Sequence, residues 1–210
     1  MPLLLCFSCQ KEKMTLYLGE RIEVKDCDFF SSLNEFYKTD LNTEFSSSRF
    51  YMKDFYNQLE KDAVNLTSEH KIRDLLSNTN RILLNVGNYE LMRFITATEI
   101  SLTYDEKIIS TSLVMFEYYF HQSLDILTSY TDDIVVLPLY DSLILEESAD
   151  QDYRQLINRY NEVIEANCRE YLIPCARIDK LSRFVYKTNA ISQPGMDYLI
   201  RQIQECYGSD

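Results

Sequence analysis

Four short apolar runs are spaced along the chain and separated by longer segments with helical periodicity. They cover residues 14–19, 81–86, 133–139 and 172–178. Strands that are apolar at nearly every position are typical of a parallel sheet covered on both faces, because both sides of each strand are then buried. The alternation of strands and helices therefore predicts a doubly wound α/β fold with a parallel sheet of four to five strands and helices on both faces.

The segments between these runs carry apolar stripes at helical spacing. Helices are predicted at about 52–64, 108–127, 153–171 and 196–206, and Pro194 suits the first turn of the last one. An extended piece at 43–47 is a candidate fifth strand. No repeat or shift in composition divides the chain, which predicts one domain over 14–210 behind a tail of residues 1–13.

The net charge is −12, from 33 acidic and 21 basic residues, and the basic residues are scattered. A field of this sign repels phosphate backbones and anionic lipid, which argues against nucleic-acid and membrane-surface binding. The expected partner is therefore an unidentified protein or small molecule. The six cysteines have no zinc-type spacing, so neither a metal nor another cofactor is predicted.

The N-terminal segment has two readings. Residues 2–9 are apolar and end in Ser-Cys, and a polar stretch follows. The run is too short to span a membrane, which favours a cytoplasmic protein with no transmembrane segment. The alternative is that the true start lies upstream and that this is the end of a bacterial lipoprotein signal, with Cys9 as the lipid-bearing residue.

Ligands of doubly wound folds sit at the carboxyl ends of the strands, so the segments just after the strands matter most. These segments are LGER at 18–21, SSRF at 47–50, NVGNYEL at 85–91 and NAIS at 189–192. Their order and spacing resemble the SGNH (GDSL-type) hydrolases over about residues 14–208. That family has a strand ending Gly-Asp-Ser, a loop glycine, a strand ending Gly-x-Asn-Asp and a late Asp-x-His. The resemblance implies a flavodoxin-like, SGNH-type fold.

The catalytic positions of the family are altered in this chain. Arg21 stands where the family has its nucleophilic serine, and Glu20 stands where it has the adjacent aspartate. The loop glycine falls at about Arg49, and the catalytic aspartate and histidine fall at Asn189 and about Ile191. A guanidinium stays protonated and is not a nucleophile, and isoleucine cannot take a proton. No catalytic residue is therefore assigned.

Gly87 and Asn88 are retained from the third of these family motifs, the strand ending Gly-x-Asn-Asp, and Glu90 follows them. In one alternative, Arg21 and Glu20 form ion pairs with Glu90 or Arg49, and this network fills the cleft in which the family has its catalytic site. In the other, a new pocket has opened there. Gly-Asn is also common in tight turns that bind nothing.

The first interpretation is a catalytically inactive SGNH-like protein that serves as a binding or scaffolding module. The first alternative is an active esterase with a displaced nucleophile from Ser46–Ser48. The second alternative is a binder of small anionic ligands through Arg21 and Arg49. The two histidines, His70 and His121, are predicted to lie on helices away from the strand ends.

Overall fold

The computed structural model describes the chain over residues 14–25, 27–37, 41–47, 50–65, 68–91, 105–141, 147–185 and 190–207. Five strands form one sheet: β1 (Met14–Glu20), β2 (Leu41–Asn42), β3 (Ser46–Ser47), β4 (Thr79–Asn85) and β5 (Ile134–Leu137). The order is β2-β1-β4-β5. Strand β3 also pairs with β1, nearer the carboxyl end of β1 than β2 does. Every pairing between these strands is parallel, which confirms the predicted α/β fold.

Six helices are described between and after the strands. They are α1 (Phe29–Tyr37), α2 (Met52–Glu60), α3 (Ile72–Ser77), α4 (Glu106–Thr128), α5 (Glu147–Glu170) and α6 (Gln193–Tyr207), with a 3-10 helix at Leu181–Phe184. Helix α4 begins at the predicted place because the Asp105 side chain accepts the backbone N–H groups of Lys107 and Ile108. Helix α2 ends at Glu60, four residues earlier than expected.

Side chains alternate between the two faces of the sheet, as the pleat of a strand requires. On β1, Leu16 and Leu18 pack on one face, where they meet α2, α3, α4 and α5. Tyr17 lies on the opposite face with α1 and α6. Both faces are buried, which explains why the strands are apolar at nearly every position.

The fourth apolar run forms only a minimal strand. Among 172–178, a single parallel bridge joins Cys175 to Val136 of β5, with Val136 N donating to the Pro174 carbonyl and Ala176 N donating to the Val136 carbonyl. Leu172 has a positive φ of 57° and is exposed, and Pro174 has no N–H to donate. The run is therefore too irregular for a longer ladder, and the prediction of a full strand was wrong.

Candidate functional site

The carboxyl ends of β1 and β4 approach each other closely at Gly19. Its φ is +118°, and a Cβ built there would lie 1.8 Å from the carbonyl oxygen of Asn85. Only glycine tolerates both this conformation and this contact. Gly19 therefore fixes how the segments after the two strands meet.

Glu20 joins the end of β1 to the turn that follows β4. Its Oε1 accepts the backbone N–H of Tyr89 at 2.8 Å. The backbone N–H groups of Asn88 and Gly87 also stabilise the carboxylate. Glu20 is 6% exposed, so these donors replace the water that an exposed carboxylate would have. The side chain acts as a clamp between two neighbouring strand ends.

Burial nevertheless dominates the titration of this clamp. Loss of solvation raises the pKa of Glu20 to about 8, while the N–H groups of Tyr89, Asn88 and Gly87 lower it and the charge of Glu90 raises it further. Glu20 and Glu90 therefore lie close enough to repel each other when both are ionised.

A buried polar cluster, formed by Tyr17, Asn85 and the backbone carbonyl of Glu20, was not predicted from the sequence. The Asn85 amide Nδ2 donates to the Glu20 carbonyl at 2.7 Å and to the Tyr17 hydroxyl at 3.1 Å. The Tyr17 hydroxyl in turn donates to the same Glu20 carbonyl. The signal was a polar residue at the end of an otherwise apolar run, since a buried asparagine needs partners.

Arg21 turns away from Glu90 toward the start of α1. Its Nη2 pairs with Asp28 Oδ2 at 2.5 Å, and its guanidinium lies 5.5 Å from the centroid of the Phe30 ring. Both partners of the ion pair are about half exposed. Among the described residues, Arg21 forms no ion pair with Glu90, which was one of the partners that the ion-network alternative gave it.

Ile191 is fully buried and held through its backbone. Its N–H donates to the Glu23 carbonyl, and its carbonyl accepts the N–H of Lys25, both at 2.9 Å. Its side chain packs on the α1 and α6 side of the sheet. The residue at the expected histidine position is therefore part of the core. Arg49, Asn189 and Cys9 lie outside the described residues.

Asn88 opens a helical turn after β4, and its Nδ2 donates to Asn85 Oδ1 at 3.4 Å. Counted from Gly87, the asparagine of the Gly-x-Asn-Asp motif falls at Tyr89, so Asn88 occupies the variable position, and of the pair described as retained only Gly87 matches the motif. Gly87 has a φ of +97°, which the sharp turn out of β4 requires.

Glu90 links this turn to α2. Its Oε1 accepts the backbone N–H of Met52, the first residue of α2, where an anion also meets the positive end of the helix dipole. Burial raises the pKa of Glu90 to about 7, with a smaller contribution from the charge of Asp54. In the part of the chain that the structure describes, Glu90 Oε2 is buried and has no hydrogen-bond partner.

The two histidines contact carboxylates and an amide. His70 lies in the loop before α3, not on a helix as predicted, and its Nδ1 lies 3.0 Å from Glu44 Oε1. His121 lies on α4, with its Nδ1 3.3 Å from Asn167 Oδ1. Ser46 Oγ donates to the Thr43 carbonyl at 2.7 Å.

Within the described ranges, no group of three or more His, Cys, Asp or Glu side chains is placed to hold a metal ion. None of the described helices is both long enough and apolar enough to cross a bilayer.

Neither a family model nor a curated protein sequence matches the chain. Solved structures do match it in fold. A lipase from a goat rumen metagenome aligns with a TM-score of 0.65 at 12% identity, over 92% of this chain and 97% of that one. An acetylxylan esterase from Geobacillus stearothermophilus aligns with a TM-score of 0.62 at 12% identity, over 94% and 95%.

A phospholipase A1 from Streptomyces albidoflavus aligns with a TM-score of 0.63 at 10% identity, over 93% of this chain and 99% of that one. The alignments span nearly the full length of both partners, so the likeness extends over the whole architecture. The chain has the α/β fold of these lipases and esterases, which supports the SGNH-type fold predicted from the sequence.

Proposed function

We propose that this chain is a catalytically inactive protein with the fold of SGNH hydrolases and that it serves as a binding or scaffolding module. The observation that carries the proposal is the state of Arg21, which takes the nucleophile position of the family and is ion-paired with Asp28. Acyl transfer needs a nucleophile whose proton a neighbouring base accepts. A paired guanidinium provides neither the nucleophile nor the base.

The base position supports the same conclusion. Ile191 is fully buried, and its backbone is bonded on both sides to the segment after β1. A titratable group at this place would have to be buried in the core, where desolvation disfavours its charged form.

The displaced-nucleophile esterase remains the alternative function. One observation favours it: the carboxylate of Glu44, which precedes Ser46 by two residues in the sequence, lies 3.0 Å from the Nδ1 of His70. Many catalytic histidines are oriented by a carboxylate at Nδ1. The arrangement is nevertheless incomplete, because Ser68 Oγ donates to Glu44 and not to the ring of His70. Ser46 itself is bonded to a carbonyl.

Binding of anionic ligands through Arg21 is less well supported. Its charge is already balanced by Asp28, so an anion would have to displace that carboxylate. The net charge of −12 also opposes the approach of an anion.

Purified protein is expected to show no hydrolysis of p-nitrophenyl acetate or butyrate above a buffer control. Loss of one member of a catalytic triad lowers the rate by about 10⁴-fold or more, and here all three positions are altered. The measurement is the initial rate of nitrophenolate release against ester concentration. The Ser46→Ala variant should give the same baseline as the unmodified chain.

Saturable turnover that Ser46→Ala or a serine-directed phosphonate abolishes would contradict the proposal and support the displaced nucleophile. The triple variant Arg21→Ser, Asn189→Asp and Ile191→His is expected to stay at the baseline too. Placing an imidazole in the core site of Ile191 costs stability and does not create a shaped substrate site.

A further inference from the structure

A cavity of about 270 Å³ lies between the start of α2, the turn after β4 and α4. Its walls include Tyr51, Met52, Phe116 and Tyr119, and Glu90 and Ser112 supply polar groups. The volume is just below the roughly 300 Å³ at which ligand pockets usually begin, so the cavity suits a small molecule. It is separate from the Arg21–Asp28 pair.

Only one of the two carboxylate oxygens of Glu90 has a hydrogen-bond partner among the described residues. Its Oε1 accepts the Met52 N–H, while the buried Oε2 has no partner among the described residues. A buried acceptor without a donor is costly, and it is most costly when the group is charged. Glu90 lines the cavity but Oε2 itself is buried, so the carboxyl must rotate before a donor in the cavity can reach this oxygen.

The rest of the lining suits the apolar part of a small organic cation. The Tyr51 ring packs edge-on against Tyr89 at 4.6 Å between centroids, and the Tyr119 ring lies 5.6 Å from Tyr56. Aromatic faces attract cations as well as alkyl groups. The Ser112 hydroxyl is 2.8 Å from the Tyr160 hydroxyl and adds a polar group beside the carboxylate.

We propose that this cavity binds a small primary alkylammonium ion, with Glu90 Oε2 accepting one of its N–H groups and the aromatic walls packing against its alkyl chain. The inference deepens the binding role proposed above and rests on it. It depends on the binding role and not on the absence of hydrolysis, because the esterase assay and the binding assay give separate results.

A primary ammonium fits better than either related class of ligand. A quaternary ammonium carries the charge but has no N–H to donate, so Glu90 Oε2 would stay unsatisfied. An alcohol can donate to the carboxylate but does not balance its charge. A primary ammonium satisfies both requirements, because its N–H donates to the carboxylate and its charge balances the carboxylate charge.

Several charged and titratable groups face Glu90. Asp54 and Lys53 on α2 line the same cavity, and the Asp54 charge acts on the Glu90 carboxyl. Glu20 on β1 and Tyr160 on α5 also feel the Glu90 charge. Asp54 should help to attract a cation, and Lys53 should repel it.

The first test is binding of n-butylammonium to the full chain, with n-butanol and tetramethylammonium as matched probes. Titration calorimetry, or ¹H–¹⁵N shifts of the Met52 amide, reports occupancy at about pH 8. Butylammonium should bind at least about fivefold more tightly than either control probe, since only it supplies both charge and N–H donors. Equal affinity for butanol and butylammonium overturns the proposal.

Glu90→Gln is the matched variant, because its amide oxygen can still accept the Met52 N–H and the fold should persist. Butylammonium affinity is expected to fall about tenfold or more in Glu90→Gln, the usual scale for a lost charge-assisted bond. Lys53→Ala should instead raise affinity by removing a like charge. Unchanged affinity in Glu90→Gln, or weaker binding in Lys53→Ala, contradicts the assignment.

The pH dependence provides a further readout. Because burial places the pKa of Glu90 at about 7, the carboxylate is mostly protonated at pH 6 and mostly ionised at pH 8. Affinity should therefore rise several-fold between these values in the unmodified chain, and this rise should be absent in Glu90→Gln. A rise of the same size in the variant would assign the effect to another group, such as Glu20, and would refute the role of Glu90.

Discussion

Replacing Gly19 with alanine is expected to remove most of the stability of the fold, on the order of 4 kcal/mol or more. The new Cβ would lie 1.8 Å from the Asn85 carbonyl oxygen, and a φ of +118° is itself unfavourable for alanine. The obstacle is backbone of the neighbouring strand, so relief requires β1 and β4 to separate. Urea unfolding followed by circular dichroism measures the loss.

Gly87→Ala is the matched control for this prediction. Gly87 also has a positive φ, of +97°, but the nearest atoms to its added Cβ would be side-chain atoms of Leu139 and Phe116, at 3.4 Å. Side chains can shift where a strand backbone cannot, so the expected cost is about 1–3 kcal/mol, set by the φ angle. A Gly19→Ala variant no less stable than Gly87→Ala would show that the two strand ends are not in this contact.

The free energy of unfolding is expected to fall as the pH rises from about 5 to about 9. Burial raises the pKa of Glu20 from 4.5 to about 8 and that of Glu90 from 4.5 to about 7. Between these limits the unfolded chain has released protons that the folded chain still holds, so higher pH favours unfolding. The stabilising contribution is complete below about pH 4.5 and is lost as the pH passes through about 8.

Each pKa unit corresponds to about 1.4 kcal/mol, so Glu20 alone can account for a decrease on the order of 5 kcal/mol. Carboxyls with a lowered pKa, such as Asp28 and Glu44, titrate below this window and do not offset the decrease. Urea midpoints measured at intervals of half a pH unit would define the curve.

Glu20→Gln should remove the Glu20 part of this pH dependence and leave the smaller part due to Glu90, because a neutral amide has no proton to release. Its carbonyl can still accept the Tyr89 N–H, so the clamp is retained in part. Glu106→Gln is the control, since Glu106 is paired with Arg159 on the surface and its pKa is lowered. If Glu106→Gln flattens the curve and Glu20→Gln does not, the assignment to buried Glu20 is wrong.

The apolar runs were sufficient to predict the parallel sheet, because burial on both faces leaves a direct mark on composition. The run at 172–178 failed for a local reason. Pro174 lacks a donor and Leu172 takes a left-handed conformation, and apolar composition does not report the geometry of a ladder. Short extended pieces are equally hard to delimit: within the candidate strand at 43–47 only β3 is extended, and β2 lies just before it, across a turn.

The site was predicted less completely, because the order of the motifs along the chain indicates which segments meet but not where their side chains point. Glu20, Arg21 and Glu90 could all be named from the sequence, but residue types and spacing left open whether Arg21 pairs with Glu90 or Arg49 or borders a new pocket. The guanidinium pairs with Asp28, which is seven residues away in sequence and is also exposed to water. An exposed arginine avoids the desolvation that pairing with a buried carboxylate would require.

The sequence by itself determined the strand and helix alternation and the acidic charge. Those properties follow from residue identity and spacing alone. Only the tertiary structure decided that Gly19 packs on Asn85, that Glu20 clamps the turn at Tyr89 and that Glu90 keeps one buried oxygen unpaired beside a cavity. Burial and hydrogen bonding between segments distant in sequence shift the pKa values of these carboxylates, and both depend on how the chain packs.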